Sequence, residues 1–327
     1  MYKIFVGGVN ADSVESPGSN LNFSKRLKNS AFNIVLDPLD ADFAICVDND
    51  KIFKVSASKA KMSKERSILI RNEPVVVCPE NKLLRTRSRF GLSLNMGRPP
   101  SESEESVAWP QQWPKEEINF DAKSFRDEKI ALVNGNKISF ISGELYSLRR
   151  KVIVNVKSLE LYGTSWDLSI NAKARHALAN LIIAIKGGYL PRISGARHYF
   201  RRFPNWKGAP RDKREVLSNY KYCLVIENST EFMTEKLFDA FFAGCIPIYV
   251  GPDLKDFSIP GNLYFQAKPN LKSINERIIE ASKIDYLSWR IGLTEWLNSE
   301  STKINWSAEE VNLRVIKTIE QYCQKII

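Results

Sequence analysis

Short apolar runs bounded by polar turns recur through the first third of the chain. They are YKIFVGG (2–8), FNIVLDP (32–38), DFAICVD (42–48) and RSILIRNEPVVVCP (66–79). Their lengths and β-branched content predict strands. Asp37-Pro38 and Asn72-Glu73-Pro74 read as strand ends, because a residue before proline is pushed away from helix. From 97 the pattern lapses. GRPPSESEESVAWPQQWPKEE is rich in proline and charge and has little periodicity, as expected of a long loop or interdomain connector. The expected division is therefore 1–125 and 126–327.

A second alternating series follows. KIALVNG (129–135) predicts a strand and turn, SGELYSLRRKVIVNV (142–156) a helical segment, and LELYG (159–163) another strand. NAKARHALANLIIAI (171–185) is helix-like, and 186–216 is basic and irregular. Beyond Gly261, apolar positions recur at helical spacing in LKSINERIIEASKIDYLSWRIGLTEWL and SAEEVNLRVIKTIEQYC, so the C-terminal part is expected to be mostly helical. Strands alternating with helices predict parallel sheets. The expected fold is α/β, with two Rossmann-like domains facing a cleft and ligand outside the carboxyl ends of the strands.

The densest chemistry lies in YCLVIENSTEFMTEKLFDAFFAGCIPIYVGP, residues 222–252. YCLVI is a continuous apolar run suited to a buried parallel strand. Glu227 and Asn228 follow at its carboxyl end, the sheet edge where ligands collect. Thr234 is expected to cap a helix that begins at Glu235, with Leu237, Phe238, Phe241 and Phe242 as its apolar face. Gly244 fits the position after a helix end, and CIPIYV supplies the next strand. Glu235 and Lys236 have two readings. In one, helix N–H groups and Lys236 attract a diphosphate while Glu235 faces a sugar hydroxyl. In the other, they are an ordinary first-turn acid and a surface lysine. Glu231 reads as a solvated loop acid.

Composition narrows the picture. The 327 residues are 43% hydrophobic and 26% charged, enough for two ordinary cores and against global disorder. Forty-eight basic against 37 acidic residues leave a net charge of +11, which suits phosphate-bearing ligands and contact with a membrane through the basic surface. The basic clusters RRK (149–151) and RHYFRRFPNWKGAPRDKR (197–214) lie inside folded-looking sequence, so nucleic acid is not the expected partner. His176 and His198 are the only histidines, which excludes a histidine-rich metal site and argues against a Ser-His-Asp triad. The cysteines at 46, 78, 223, 245 and 323 form no CxxC pair and read as buried free thiols of a reducing compartment. No run of 18 apolar residues occurs, and MYKIFVGGVN lacks the parts of a signal peptide. A cytoplasmic enzyme is expected.

The stretch from Tyr220 to Pro252, with its FEN-like IEN and its TEK, resembles the donor-binding signature of the α-1,3/α-1,4-fucosyltransferases, glycosyltransferase family 10. RNEPVVVCPEN (71–81), FGLSLNMGR (90–98), KIALVNGNKISFISGELYSLRRKVI (129–153) and LYGTSW (161–166) resemble further parts of that family. The resemblance implies a GT-B fold and inverting transfer of L-fucose from GDP-fucose to an N-acetylglucosamine or glucose unit of a glycan. It implies that Lys236 contacts the diphosphate and that Glu235 approaches the fucose. Glu227, Asn228, Tyr222 and Asn134 match other donor-site positions, and Arg149 or Arg150 matches the basic residue near the diphosphate. Glu73 matches the proposed catalytic base, although Pro74 follows it directly where the family has Glu-Ser-Pro.

Inverting transfer needs a base for the acceptor hydroxyl and positive charge at the departing diphosphate. It requires no metal, and a divalent ion would at most be stimulatory. DND (48–50) has the letters of a DxD metal motif but reads as a polar strand-end turn. Two alternatives remain: a GT-B enzyme with another nucleotide-sugar donor, and a non-catalytic carbohydrate- or nucleic-acid-binding protein. Trp109 and Trp113 either stack on a sugar or pin the connector to the core. The oligomeric state is not written in the chain.

Overall fold

The computed structural model describes residues 2–7, 32–48, 62–81, 89–100, 105–120 and 126–327. The chain forms two compact units, Met1–Pro114 with Glu300–Ile327, and Lys115–Ser299.

The first unit is built on six parallel strands: β1 (Tyr2–Gly7), β2 (Phe32–Val35), β3 (Phe43–Val47), β4 (Ser67–Arg71), β5 (Leu92–Met96) and β6 (Ser106–Val107). Their order is β2-β1-β3-β4-β5-β6. Ile45, Cys46, Val47, Ile68, Leu69 and Ile70 are all buried, so both faces of β3 and β4 are covered. That is why these runs are apolar without alternation. Within the 66–79 run the strand ends at Arg71, directly before the Asn72-Glu73-Pro74 read as its end, and VVVCP (75–79) adds no further strand. Asp48 sits just past β3 in a left-handed conformation, with φ 58°. Its Oδ1 accepts the backbone N–H groups of Asn72 (2.8 Å) and Glu73 (2.9 Å) and the Asn81 amide (2.6 Å). Donors spent on Asp48 cannot extend a ladder, and Pro74 has none to give. Asp48 is thus a polar strand end, as read; Asn49 and Asp50 lie outside the described residues. β6 falls within the expected connector, whose middle therefore joins the sheet.

The second unit is a five-stranded parallel sheet of order β11-β10-β9-β7-β8. Its elements are β7 (Asp127–Val133), α1 (Tyr146–Asn155), β8 (Leu159–Tyr162), α2 (Ile170–Lys186), α3 (Lys213–Leu217), β9 (Tyr220–Ile226), α4 (Lys236–Phe242), β10 (Ile246–Val250), β11 (Phe265–Gln266), α5 (Leu271–Ala281) and α6 (Tyr286–Asn298). The chain winds from β7 outward to β8, then returns past β7 to β9. The winding reverses between β7 and β9, and a crevice opens beyond the carboxyl ends of strands at such a point. Leu237, Phe238 and Phe241 bury the expected face of α4, and Gly244 follows with φ 70°.

The final helices, α7 (Glu300–Trp306) and α8 (Ala308–Ile326), belong to the first unit rather than to the second. Gln111 exchanges backbone hydrogen bonds with this segment, accepting from Ala308 and donating to Trp306, both at 2.8 Å. The Tyr322 hydroxyl donates to the Glu65 carbonyl at 2.8 Å. Val311, Val315, Ile316, Ile319 and Cys323 form the buried face of α8. The division falls at 114/115, whereas 125/126 was expected and residues 121–125 lie outside the described ones. Ile118 exchanges two hydrogen bonds with the Asn298 side chain, which ties 115–120 to the second unit. Periodicity predicted these helices; it carries no information on which sheet they return to. Trp109 is buried, so its part of the connector is held in the core. All five cysteines are free thiols, four of them buried.

Gly163 ends β8 with φ 128°, and a Cβ there would lie 2.1 Å from the Asn134 carbonyl oxygen. Gly163→Ala should therefore lower stability by about 2 kcal/mol or more, read from the urea midpoint.

Candidate functional site

β9 runs apolar to Ile226 and delivers Glu227 at its carboxyl end, with no exposed surface. A buried carboxylate must be paired. Glu227 accepts the Thr234 N–H on Oε1 (3.0 Å) and the Thr234 hydroxyl on Oε2 (2.7 Å), and Lys236 Nζ approaches Oε2 at 3.4 Å. Lys236 also donates to the Thr234 hydroxyl oxygen at 2.7 Å. Thr234 does not cap the helix as expected. Its hydroxyl is committed to Glu227 and Lys236, and Glu235 holds the position before α4 without a side-chain cap.

Glu235 accepts from Lys213 at 3.0 Å and lies 3.9 Å from Lys236. Lys213 also approaches Asp239, one turn further along α4, at 3.7 Å, and Arg214 pairs with the same carboxylate at 3.2 Å. Asp212 positions both cations by accepting the N–H groups of Arg214 (2.8 Å) and Glu215 (3.5 Å) at the start of α3. Burial alone would raise the pKa of Glu235. The adjacent Lys236 and Lys213 outweigh it and hold this carboxyl well below the usual carboxylate range. At Asp239 burial wins and the pKa is raised, Glu235 adding to it against Lys213 and Arg214. Lys213 keeps its charge: burial opposes it, but Glu235 and Asp239 raise its pKa.

The two candidate arginines part company. Arg149 is buried at the end of β9. One of its terminal nitrogens donates to the carbonyls of Ile226 and Glu227, both at 2.8 Å, and to Asn228 Oδ1 at 3.0 Å. Its Nε is buried with no partner in the chain. Arg150 points elsewhere. It donates to the carbonyls of Arg197 (2.9 Å), Lys137 (2.6 Å) and Gly195 and lies over the Tyr199 ring. Its contacts are those of a structural tie to the basic 186–216 stretch. Tyr222 pairs with Ile130 and Ile246, four residues before the carboxyl end of β9. At a strand rise of about 3.3 Å per residue it sits roughly 13 Å from that edge. Glu231 is exposed, as expected of a loop acid.

Across the switch point, β7 is followed by Asn134-Gly135-Asn136. Trp166 Nε1 donates to the Asn134 carbonyl at 2.7 Å, and Asn136 N donates to the Thr164 carbonyl at 2.9 Å. The side chains are a different matter. Asn134 Oδ1 and both amide atoms of Asn136 are buried without a partner in the chain. Such groups call for a water or a ligand. Val133, Asn134, Lys213, Lys236 and Asp239 share the lining of one pocket here. Sequence reasoning passed over Lys213, Asp239 and Asn136. The available signals were an Asp-capped DKRE turn just before β9 and a lone acid on the apolar face of KLFDAFF.

Glu73 lies in the first unit, half-buried after β4. Its backbone is fixed from both sides, its N–H held by Asp48 and its carbonyl accepting the Asn81 amide at 2.8 Å.

No family model matches the chain. A fucosyltransferase-like protein of Arabidopsis thaliana is 37% identical over 60 residues, which span 17% of this chain and 12% of that protein. Among solved structures, an α1,3-fucosyltransferase aligns with TM-score 0.52 at 13% identity, over 98% of this chain and 90% of its own. The Anabaena protein HepE, in complex with UDP and glucose, aligns with TM-score 0.54 at 10% identity, over 98% of this chain and 100% of its own. What is shared at this identity is the fold. The chain has the GT-B fold, with two Rossmann-like α/β units that each carry a parallel sheet.

Because cations depress the pKa of Glu235, its contribution to stability is present above the ordinary carboxylate pKa of about 4.3 and is lost as pH falls below it. The stability gap between wild type and Glu235→Gln should narrow below that pH. Lys213→Met should move the Glu235 carboxyl titration upward, followed by NMR.

Proposed function

We propose that this chain is a glycosyltransferase. It moves a sugar from a nucleoside-diphosphate donor, bound at the carboxyl ends of β7 and β9, to a hydroxyl of a glycan. The observation that carries this reading is a convergence at one topological switch point. Lys213 and Lys236 line one pocket there with Asn134, whose buried Oδ1 has no partner in the chain, and the buried amide of Asn136 two residues on is likewise unpartnered.

In such a transfer the bond from the anomeric carbon to the diphosphate oxygen breaks as the acceptor oxygen attacks. Negative charge grows on the departing nucleotide. Lys236 and Lys213, each held beside a carboxylate, offer fixed positive charge for it. The ionised Glu235 suits the opposite task, balancing positive charge that develops on the sugar ring. The acceptor proton passes to a carboxylate base, which we assign to Glu73. Asn134, Asn136 and Asn228 are the proposed amide contacts to the nucleotide, and Arg149 secures the end of β9 beside them. Inversion at the anomeric carbon follows from a single displacement.

Two donor classes are supported. The ENS and TEK segments and the short likeness to a fucosyltransferase-like protein favour GDP-fucose. A fold match of equal grade to a protein bound to UDP and glucose favours a UDP-sugar. The proposal is accordingly the wider one, a nucleoside-diphosphate sugar. Its narrower form is α-1,3/1,4 transfer of fucose onto N-acetylglucosamine or glucose units.

Turnover of GDP-fucose, GDP-mannose, UDP-glucose and UDP-N-acetylglucosamine, each with N-acetyllactosamine, chitobiose and glucose acceptors, tests it. One donor should release nucleotide and form a disaccharide bond. Lys236→Met should lower kcat/KM about 10²–10³-fold, the usual loss of one leaving-charge stabiliser. Glu73→Gln should cut kcat by about 10²-fold or more with the donor affinity retained. Donor binding without turnover would make the chain a non-catalytic carbohydrate-recognition protein. Absence of binding to any nucleotide sugar would remove the reading altogether.

A further inference from the structure

The helix α2 is built the wrong way round for a helix of a globular core. Its buried residues are Lys173 and Ala184. The apolar stripe, Leu178, Leu181, Ile182 and Ile185, falls at i, i+3, i+4 and i+7, the spacing that normally faces inward. Here it faces out: Leu178 is 58% exposed, Ile182 42% and Ile185 57%. The loop that follows adds Leu190 and Ile193, at 92% and 83%. Lone exposed apolar residues are ordinary, but a stripe of this kind marks an interaction surface.

The charge around it indicates the partner. From 168 to 211 the chain carries nine lysines and arginines and no aspartate or glutamate. Arg175, Lys186, Arg192 and Arg197 of this segment are exposed. The loop is also held in place. Arg150 donates to the Arg197 and Gly195 carbonyls, and the buried Lys173 donates to the Arg201 carbonyl at 3.0 Å. A helix with an outward apolar stripe amid exclusively basic charge has the chemistry of a surface that lies in an anionic bilayer interface. Aliphatic side chains enter the headgroup boundary while arginine and lysine stems reach the phosphates. No helix among the described residues is long and apolar enough to cross a membrane, so the contact is one of lying on the surface.

We propose that α2 and the 186–202 loop dock the second unit onto membranes that contain anionic lipid. The contact is independent of the donor site and of any acceptor.

Sedimentation of the full chain with vesicles tests this. The protein should bind phosphatidylcholine vesicles that contain phosphatidylglycerol, release in high salt, and ignore phosphatidylcholine alone. The triple variant Leu178→Ser, Ile182→Ser, Ile185→Ser should lose roughly tenfold or more in vesicle partitioning at unchanged circular dichroism. A second variant, Arg192→Gln with Arg197→Gln, should bind more weakly and with a shallower salt dependence. Equal partitioning of wild type and triple variant would overturn the proposal, as would absence of binding to either vesicle. So would a lipid-free dimer that the triple variant breaks, since the stripe would then be covered by a second copy of this chain.

Discussion

Glu227 is a fully buried carboxylate at the tip of a parallel strand, and its need for partners shapes everything around it. Left alone, such a charge would cost several kcal/mol. The chain answers within nine residues. The loop after β9 folds back so that Thr234 gives both its N–H and its hydroxyl, and α4 begins where Lys236 can reach the same oxygen. The start of α4 is therefore set by a strand-end carboxylate rather than by its own capping residue. Lys236, held there, draws Glu235 toward it, and Glu235 in turn recruits Lys213 from the neighbouring α3. One buried acid thus propagates into a network of alternating charges.

That network is close to balanced, and the balance bears on what it can bind. Lys213, Arg214 and Lys236 pair with Glu227, Glu235 and Asp239, three cations against three carboxylates. A group this evenly compensated holds its side chains in fixed places without an incoming anion. Its preorganisation spares the cost of arranging cations at the moment a ligand binds. The buried amides of Asn134 and Asn136 stand on the other side of the switch point, with hydrogen-bonding capacity the protein does not use. Charge on one strand end and amide on the next is a pairing suited to a ligand that has both a phosphate and a polar base or sugar.

Arg149 and Arg150 show where one-dimensional reading stops. They are adjacent and chemically identical, and the sequence offers both for one role. On a helix they diverge by about 100°. Arg149 turns to the carbonyls that end β9, while Arg150 turns to the basic loop around Gly195 and Arg197. Tyr222 is a related case. It is two residues from Tyr220 in a motif, but strand direction puts it at the opposite end of β9 from Glu227. The apolar stripe of α2 was legible as helix and not as surface, since periodicity gives a face but not what covers it.

Local chemistry was within reach of the sequence. Short β-branched runs bounded by turn residues suit strands buried on both faces, and their alternation with helical segments pointed to parallel sheets and an α/β fold. The IEN and TEK segments placed Glu227, Asn228, Glu235 and Lys236 together because strand, short loop and helix leave them little choice. Tertiary structure decided what depends on residues distant in the chain. It brought Lys213 against Glu235 and Asp239, supplied Asp48 as the acceptor that fixes the chain after β4, and returned the last two helices to the first sheet. In each case the deciding contact joins separate elements, and hydrogen-bond or charge satisfaction across such a gap depends on three-dimensional proximity that periodicity and motif spacing do not encode.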